Sequence, residues 1–428
     1  MTKRVNKAVY IVMGRRFNGL KVRFNQLLSL QKYYESVTLI LRGDGQDIDD
    51  RVEIKSFPNP TGFLRFIGLQ KLKKVLDRYL FFPSVGILYV GRMQRELERC
   101  IEEDVKKGNE VCLIVSTPPH CVGLIGLNLK RKFPQIYWIM DWTDLWSYDE
   151  NYLKRTPVIY RERLFRLESR MLNECDMNVT TNSFATDVLV NNYRVSQRHV
   201  TWINHSYSRD DIPNELPNQI TPDLRVSGHD KEIKIGFFGT LFKPPRVPGD
   251  KVVEAIRYLR RKGINVTLHH YGIIPKKYKK NFSNDYGIVY HGPKDYKDGI
   301  KAMSKCDFQL LVLADLPNSK AVMSIKIPDY FLVKKPIIAI VPEPSAVADV
   351  IKRTKSGYVL PANGDWGMQL EDLLNKIMTG AAVPMRDETE ISRFDWENIS
   401  RKWRSVIDAE EIESRPLNEG VLHDGLSI

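Results

Sequence analysis

Residues Ser324 to Ile340 read SIKIPDYFLVKKPIIAI, and their reading decides the fold. Proline lacks an N–H and has a fixed φ, so Pro328 suits only the first turn of a helix. The pattern predicts a helix that begins near Ile327, runs through Asp-Tyr-Phe-Leu-Val and stops at Lys334-Lys335-Pro336. Pro336 then opens an apolar run, Ile337-Ile338-Ala339-Ile340, of the kind buried on both faces in a parallel sheet. A short helix feeding such a strand is α/β architecture in miniature. The same stretch sets Lys326 and Asp329 beside a helix N-terminus, whose unbonded N–H groups and positive dipole end suit anions. Two readings fit these residues: an anion-binding pair, or a first-turn carboxylate that offsets the dipole beside a solvated lysine.

Outward from this block, short β-branched runs alternate with helical-period segments along nearly the whole chain. In the first half the strand candidates are AVYIVM, VTLIL, VCLIVS, IYWIMD, MNVTT and HVTWI, with amphipathic stretches such as RFNQLLSLQKYYES and YRERLFRLESRMLNEC between them. Ser208 to Glu232 is polar, proline-bearing and without apolar period, which reads as a linker. The pattern then restarts: IKIGFFGT as a strand, DKVVEAIRYLRRKG as a helix with Asp250 as N-cap and Gly263 just past its end, and INVTLHHYG as a strand. Two doubly wound parallel sheets follow from this order. The expected division is residues 1–207, a linker at 208–232, a second domain at 233–385, and a closing helix with its tail at 386–428. Open parallel sheets bind ligands outside the carboxyl ends of their strands, so two of them predict a cleft.

Composition narrows the function. With 428 residues and 27% charged residues the chain is ordinary globular protein of about two or three domains. No apolar run approaches the roughly 20 residues that span a bilayer. The start, MTKRVNKAVYIVMGRR, has too short an apolar part and two arginines where a signal peptide needs small residues, so it reads as a first strand. The five cysteines, Cys100, Cys112, Cys121, Cys175 and Cys306, form no C-x-x-C pair, which argues against a zinc site or disulfide framework and for a reducing, cytoplasmic setting. A net charge of +13 favours an anionic partner: nucleic acid, acidic membrane or phosphorylated substrate.

Candidate chemistry clusters at strand ends. Gly239 ends a buried strand, and Thr240, Lys243 and Arg246 put a hydroxyl and two cations in the loop after it. That suits a diphosphate but is not a P-loop, and an ordinary turn with solvated basic residues fits as well. In the first half, Ser116-Thr117-Pro118-Pro119-His120 ends a strand, and the prolines aim His120 from the sheet edge. Its imidazole there can bond a sugar hydroxyl or a phosphate, or be structural. The next strand ends in MDWTDLW, where Asp144 is read as an acceptor-side carboxylate and Asp141 as a turn-former. No third ligand supports a metal at these acids. Gly14, Arg15, Arg16 and Gly19 form a flexible loop after the first strand with Arg23 close by, without a dinucleotide fingerprint. In GFLRFIGLQKLKKVLDRYLFF, Leu69, Leu72, Leu76 and Leu80 share a face opposite Lys71, Lys74 and Arg78. Such a basic amphipathic helix over residues 63–80 can lie on an anionic bilayer or pack on its own sheet.

Taken together, these residues resemble the GT-B glycosyltransferases, specifically the retaining enzymes of glycosyltransferase family four. IKIPDYFLVKKPIIAIVPEPSAVADVIKRTKSGYVL is similar to that family's Pro-x-Lys-x-x-Glu-Tyr-x-x-x-x-Lys-Pro pattern in bacterial polysaccharide and lipopolysaccharide transferases. STPPHCVGLIGLNLKRKF followed by IYWIMDWTDLW resembles its Ser-x-Pro-Pro-His and Asp-x-Arg-Asp-x-Trp stretches, and RFDWENISRKW its closing helix. The resemblance implies a nucleotide-sugar donor, UDP-linked, held by Gly239, Thr240, Lys243, Arg246 and Lys326, with Asp329 on the ribose hydroxyls. It implies His120 under the transferred sugar from the other side of the cleft; with it, Asp144 is expected as the second catalytic residue, and the loop of Gly14, Arg15, Arg16 and Gly19 is expected on the acceptor side. Transfer would proceed with retention to a polysaccharide or lipid-linked glycan, with no metal and no separate cofactor. Two positions depart from the pattern: Ala321 replaces the first acid of Glu-x7-Glu, and Thr143 stands where arginine is frequent.

Two other readings share this fold. A DNA glycosyltransferase would also be basic, but beyond runs such as Lys276-Lys277-Tyr278-Lys279-Lys280 no recognition element is visible, so no nucleic acid is expected. A degenerate nucleotide-binding partner protein would fit the missing first acid. The location expected for the transferase is cytoplasmic, peripheral on the inner face of the membrane.

Overall fold

The computed structural model describes residues 5–13, 21–42, 53–57, 82–84, 86–208, 232–243, 245–275, 278, 287–380 and 383–409. The Gly14–Gly19 loop, the helix expected over residues 63–80 and all but the ends of the 208–232 linker lie outside them. The chain divides into two units, Met1–His205 with Glu397–Ile428, and Ser206–Trp396.

The first unit runs β1 (Val5–Met13), α1 (Lys21–Leu28), β2 (Tyr34–Arg42), β3 (Glu53–Phe57), α2 (Ile87–Lys106), β4 (Glu110–Thr117), α3 (Gly123–Lys132), β5 (Tyr137–Trp142), α4 (Glu150–Arg155), α5 (Val158–Glu174), β6 (Met177–Thr180), α6 (Ser183–Tyr193) and β7 (Val200–Trp202). Its seven strands lie in the order β3-β2-β1-β4-β5-β6-β7, every pair parallel. The chain starts in the middle and winds both ways, so the order reverses between β1 and β4, the point where such sheets bind ligands. β4 is buried from Val111 onward, as its apolar run demands. β3 has no apolar run and was not expected from the pattern. It is an edge strand, paired with β2 alone, and an edge tolerates the polar residues of EIKSF.

The second unit runs β8 (Ile233–Phe238), α7 (Gly249–Arg261), β9 (Val266–Tyr271), β10 (Ile288–Tyr290), α8 (Tyr296–Ser304), β11 (Phe308–Val312), α9 (Ile327–Val333), β12 (Ile337–Val341), α10 (Ala346–Thr354), β13 (Gly357–Pro361), α11 (Trp366–Met378) and α12 (Glu388–Ser392). Its six parallel strands take the order β10-β9-β8-β11-β12-β13, with the reversal between β8 and β11. The opening stretch behaves as its residues require: α9 carries Pro328 in its first turn and ends at Lys334 in the left-handed region, and β12 is buried throughout. α7 buries Val252, Val253, Ile256 and Leu259 on one face, the 3.6-residue period of an amphipathic helix. Its start corrects the sequence reading. Pro248 occupies the N-cap position without a side-chain bond, and Asp250 lies inside the first turn, where its charge still suits the dipole.

After α12 the chain returns to the first unit as α13 (Trp396–Ile407). Ile399, Trp403, Val406 and Ile407 pack into the same core as Val9, Ile11, Leu39, Ile114 and Ile139 of the first sheet. Polar bonds fasten the helix end: Lys7 Nζ donates to the Ile407 carbonyl at 3.1 Å and the Tyr34 hydroxyl to Asp408 at 2.9 Å.

Candidate functional site

At the carboxyl edge of the second sheet, β8 gives way to Gly239, whose φ of +114° lies where side-chain-bearing residues are strained. Three contacts fix this peptide. The Gly239 amide donates to the Tyr271 carbonyl at 2.8 Å, and the His270 Nε2–H donates to the Gly239 carbonyl at 2.9 Å. Gly272 closes the third side, for a Cβ there would fall 2.0 Å from the Gly239 oxygen. Burial, aided by the nearby Lys326 charge, lowers the His270 pKa to about 4, so the imidazole stays neutral near pH 7.

Lys326 reaches the same spot from the residue before α9. A Cβ on Gly239 would lie 3.0 Å from Lys326 Cε and Nζ, so the bare glycine lets the ammonium come close to this backbone without crowding. The ammonium stands 4.6 Å from the Phe237 ring centroid, a cation–π contact. Desolvation, and then the like charge of Lys243, lower its pKa to about 8, against the opposing pull of Asp329. A half-desolvated cation of this kind gains most from an anionic ligand. Asp329 itself accepts from the Tyr296 hydroxyl at 2.9 Å, which sets the carboxylate's direction.

The loop after Gly239 is more ordered than its basic composition suggests. Leu241 and Phe242 turn into the core, and Phe242 stacks on Tyr278 with ring centroids 4.1 Å apart. Lys243 and Val247 exchange backbone bonds of 3.2 and 3.0 Å, and the Arg246 carbonyl accepts from the Ala314 amide at 2.8 Å. The result is a small hairpin pinned to the end of β11. Thr240 is half-buried and Lys243 exposed. Ala321 closes a single 3-10 turn, Pro317–Ala321, ahead of Lys326.

In the first sheet, β4 and β5 are neighbours with Ser116 opposite Asp141. His120 follows β4 in a 3-10 turn and is only 5% exposed. Its Nε2 lies 3.0 Å from the Asp144 carbonyl oxygen, which makes that nitrogen the donor. Trp146 stacks flat on its ring at 4.9 Å, and Tyr152 meets both rings edge-on at 5.8 and 6.1 Å. This aromatic box holds the imidazole in one orientation. Beside it lies a cavity of about 300 Å³ whose lining includes Ser84, His120, Asp144, Asp149 and Tyr152. His120 and Asp144 are thus brought together. Gly14, Arg15, Arg16 and Gly19 lie outside the described residues.

Asp141 is not a turn-former. It is wholly buried, receives the Ser116 hydroxyl at 2.6 Å, and forms a multidentate pair with Arg23, whose Nε approaches Asp141 Oδ2 to 2.9 Å. Arg23, the first residue of the amphipathic stretch RFNQLLSLQKYYES, lies within α1 and is fully buried.

Sequence reasoning missed His270, Gly272, Tyr296 and the box around His120. His-His-Tyr-Gly at a strand end was the available signal for the first two, because a buried polar pair there must bond something. Nothing in the local pattern announces Tyr296. Among the described residues no group of His, Cys, Asp and Glu could hold a metal ion, and no helix is long and apolar enough to cross a membrane.

Two such sheets, each reversing at its centre, define the GT-B fold. Solved GT-B structures match nearly the whole chain. Anabaena HepE, solved with UDP and glucose, superposes with a TM-score of 0.62 at 12% identity over 94% of this chain and 99% of its own. WaaG, a glycosyltransferase involved in lipopolysaccharide biosynthesis, gives 0.58 at 13% over 94% and 98%. An α,α-trehalose-phosphate synthase (UDP-forming) from Burkholderia vietnamiensis gives 0.61 at 10% over 94% and 100%. No family model and no curated protein matches the sequence.

Proposed function

We propose that the chain is a glycosyltransferase that moves a sugar from a UDP-linked donor to a polysaccharide or lipid-linked glycan with retention of configuration. One observation carries the reading: the Lys326 ammonium lies against Gly239 at the reversal point of the second sheet, where a diphosphate can approach bare backbone and a desolvated cation together. Lys326, with Thr240, Lys243 and Arg246 on the adjoining hairpin, takes the diphosphate. Asp329, held by Tyr296, takes the ribose hydroxyls. His120 and Asp144 serve the sugar being transferred and its acceptor.

The acceptor oxygen bonds to the anomeric carbon as the bond from that carbon to the β-phosphate oxygen breaks. The acceptor's proton passes to the departing phosphate, and UDP leaves with its charge spread over the cations. Complexes of HepE with UDP and with UDP-glucose support the choice of nucleotide. A trehalose-6-phosphate synthase of this fold, studied for transfer with retention, supports the stereochemistry. The likeness to WaaG, a glycosyltransferase involved in lipopolysaccharide biosynthesis, supports a surface-glycan acceptor.

The test is a thermal-shift screen of the full chain against UDP, GDP, dTDP, CMP and ADP beside Lys326→Ala. A nucleotide at about 100 times its dissociation constant adds roughly 2.7 kcal/mol, a shift of a few degrees at this size. UDP should shift the wild type and leave Lys326→Ala unmoved. A wild type that responds to no nucleotide would sink the donor site and favour a partner protein of the same fold.

A further inference from the structure

We infer that Glu168, in the core of the first unit, is a positioning residue for His120, and that its ionised form holds the imidazole where transfer needs it. This rests on the glycosyltransferase reading and deepens the role given there to His120. The clamp is built on one run of four residues, Asp144 to Ser147, in the loop after β5. The Asp144 carbonyl accepts from His120 Nε2 at 3.0 Å, and the Trp146 indole lies flat on the same imidazole, 4.9 Å away and 6° from parallel. Ser147 is where the run is tied down. Its N–H donates to both Glu168 oxygens, at 3.1 and 3.3 Å, and its hydroxyl pairs with the Tyr193 hydroxyl of α6 at 2.5 Å. Glu168 and Ser147 are both buried, so these bonds form away from bulk water. One carboxylate of α5 thus anchors the segment that grips the imidazole from two sides.

A carboxylate is an expensive group to bury, and an amide would satisfy the same N–H at less cost. What the charge adds is strength, since a bond to an ionised acceptor is roughly twice as strong as one to a neutral acceptor. Protonation removes that gain. It also turns one of the two oxygens that face Ser147 into a donor. Burial raises the Glu168 pKa to about 7, against the pull of its bonds to Ser147. Above that pH the clamp is tight, and below it the clamp slackens and the His120 ring loses its alignment. Small misplacements of a group at the reacting centre cost large factors in rate, so transfer should gain speed as pH rises through 7. The other titratable groups facing Glu168 are Tyr193 of α6 and Tyr152 of α4. Burial raises the pKa of both, so they stay neutral across this range. His120 itself stands one ring away, beyond Trp146, and its own titration is separated by the test.

The experiment follows the His120 ring by NMR in the full chain labelled with 13C-histidine, the signal assigned by its loss in His120→Gln. Over roughly pH 5.5 to 8.5 the wild-type signal should move with a midpoint near 7 as Glu168 ionises. In Glu168→Gln, checked for folding by circular dichroism, that step should be missing, whatever step His120 adds on its own account. Kinetics on the same samples read the release of UDP from UDP-glucose, UDP-galactose and UDP-N-acetylglucosamine. At about pH 8, Glu168→Gln should lower kcat about tenfold, keep KM within about twofold, and lack the wild type's rise through pH 7. A His120 signal that titrates identically in the two proteins overturns the inference. So does a kcat that is unchanged, or that falls by the same factor at every pH, which is the mark of a merely structural role. Release of no UDP from any of the three donors by either protein strikes the glycosyltransferase reading instead, and the His120 spectra still decide the clamp.

Discussion

Arg23 shows how much structure one buried side chain can organise. Besides Asp141 it donates to Gln26 at 2.9 Å and to the Ile203 carbonyl at 3.0 Å, and its guanidinium lies 4.8 Å from the Trp403 ring centroid. Its charge also adds to burial in lowering the His205 pKa to about 3, which keeps that imidazole neutral. A buried pair is costly to break from one side, because the partner is left as an uncompensated charge. Arg23→Met should therefore destabilise the first unit by about 3–5 kcal/mol. Arg23→Met/Asp141→Leu should recover a large part of that loss in urea titrations. If the double variant is no more stable than the single, the pair is not the reason Arg23 matters. None of this was legible locally. Arg23 and Asp141 lie far apart in sequence, and only the closing of the fold puts an arginine from the amphipathic stretch after the first strand onto an aspartate that reads locally as a turn-former.

At the scale of elements, the loop after β5 is shaped by α5. Glu168, buried in that helix, accepts the Ser147 backbone N–H at 3.1 Å, and the Ser147 hydroxyl pairs with Tyr193 at 2.5 Å. That fixes the segment from which Trp146 stacks on His120. Burial raises the Glu168 pKa to about 7, against the opposing pull of its bonds to Ser147. The native state then holds a proton that the unfolded chain, with a carboxyl near 4.5, has lost. The associated stability is complete below about pH 4.5 and is lost as pH rises through about 7, on the order of 3 kcal/mol. Glu168→Gln keeps an acceptor for Ser147 and cannot ionise, so its unfolding free energy should lack this fall between pH 4.5 and 8. Parallel pH profiles for the two proteins would remove Glu168 from the account. Elements of this kind were largely readable, because β-branched runs and helical periods alternate so regularly that β1, β4, β5, β8 and β12 could be marked from their apolar runs. β3 could not, since an edge strand needs no apolar face. Of the site, Gly239, Lys326 and His120 stood out as residue types at strand and helix ends. The contacts that hold Gly239, Asp329 and His120, from His270, Tyr296 and Trp146, come from neighbouring strands, helices and loops and leave no local trace.

For the whole molecule, the decisive feature is that the first unit is discontinuous. Trp403 belongs to its core although the whole of the second unit separates it from β7 in sequence. Trp403→Ala should cost about 3–5 kcal/mol, the usual range for a buried aromatic. Hydrogen exchange will show where: amides of β1, β2 and β4 should lose protection, while those of β8, β11 and β12 keep theirs. Uniform loss across both sheets would mean that the two units unfold as one. The same arrangement bears on how the chain comes into being. On the ribosome the first sheet emerges early but lacks the helix that seals its core, while residues 206–396 leave the exit tunnel before Trp403 does. The second unit can therefore complete itself first, inverting the N-to-C order in which tandem domains usually fold during synthesis. Until α13 arrives, the nascent first sheet offers an apolar slot to whatever chaperone attends translation.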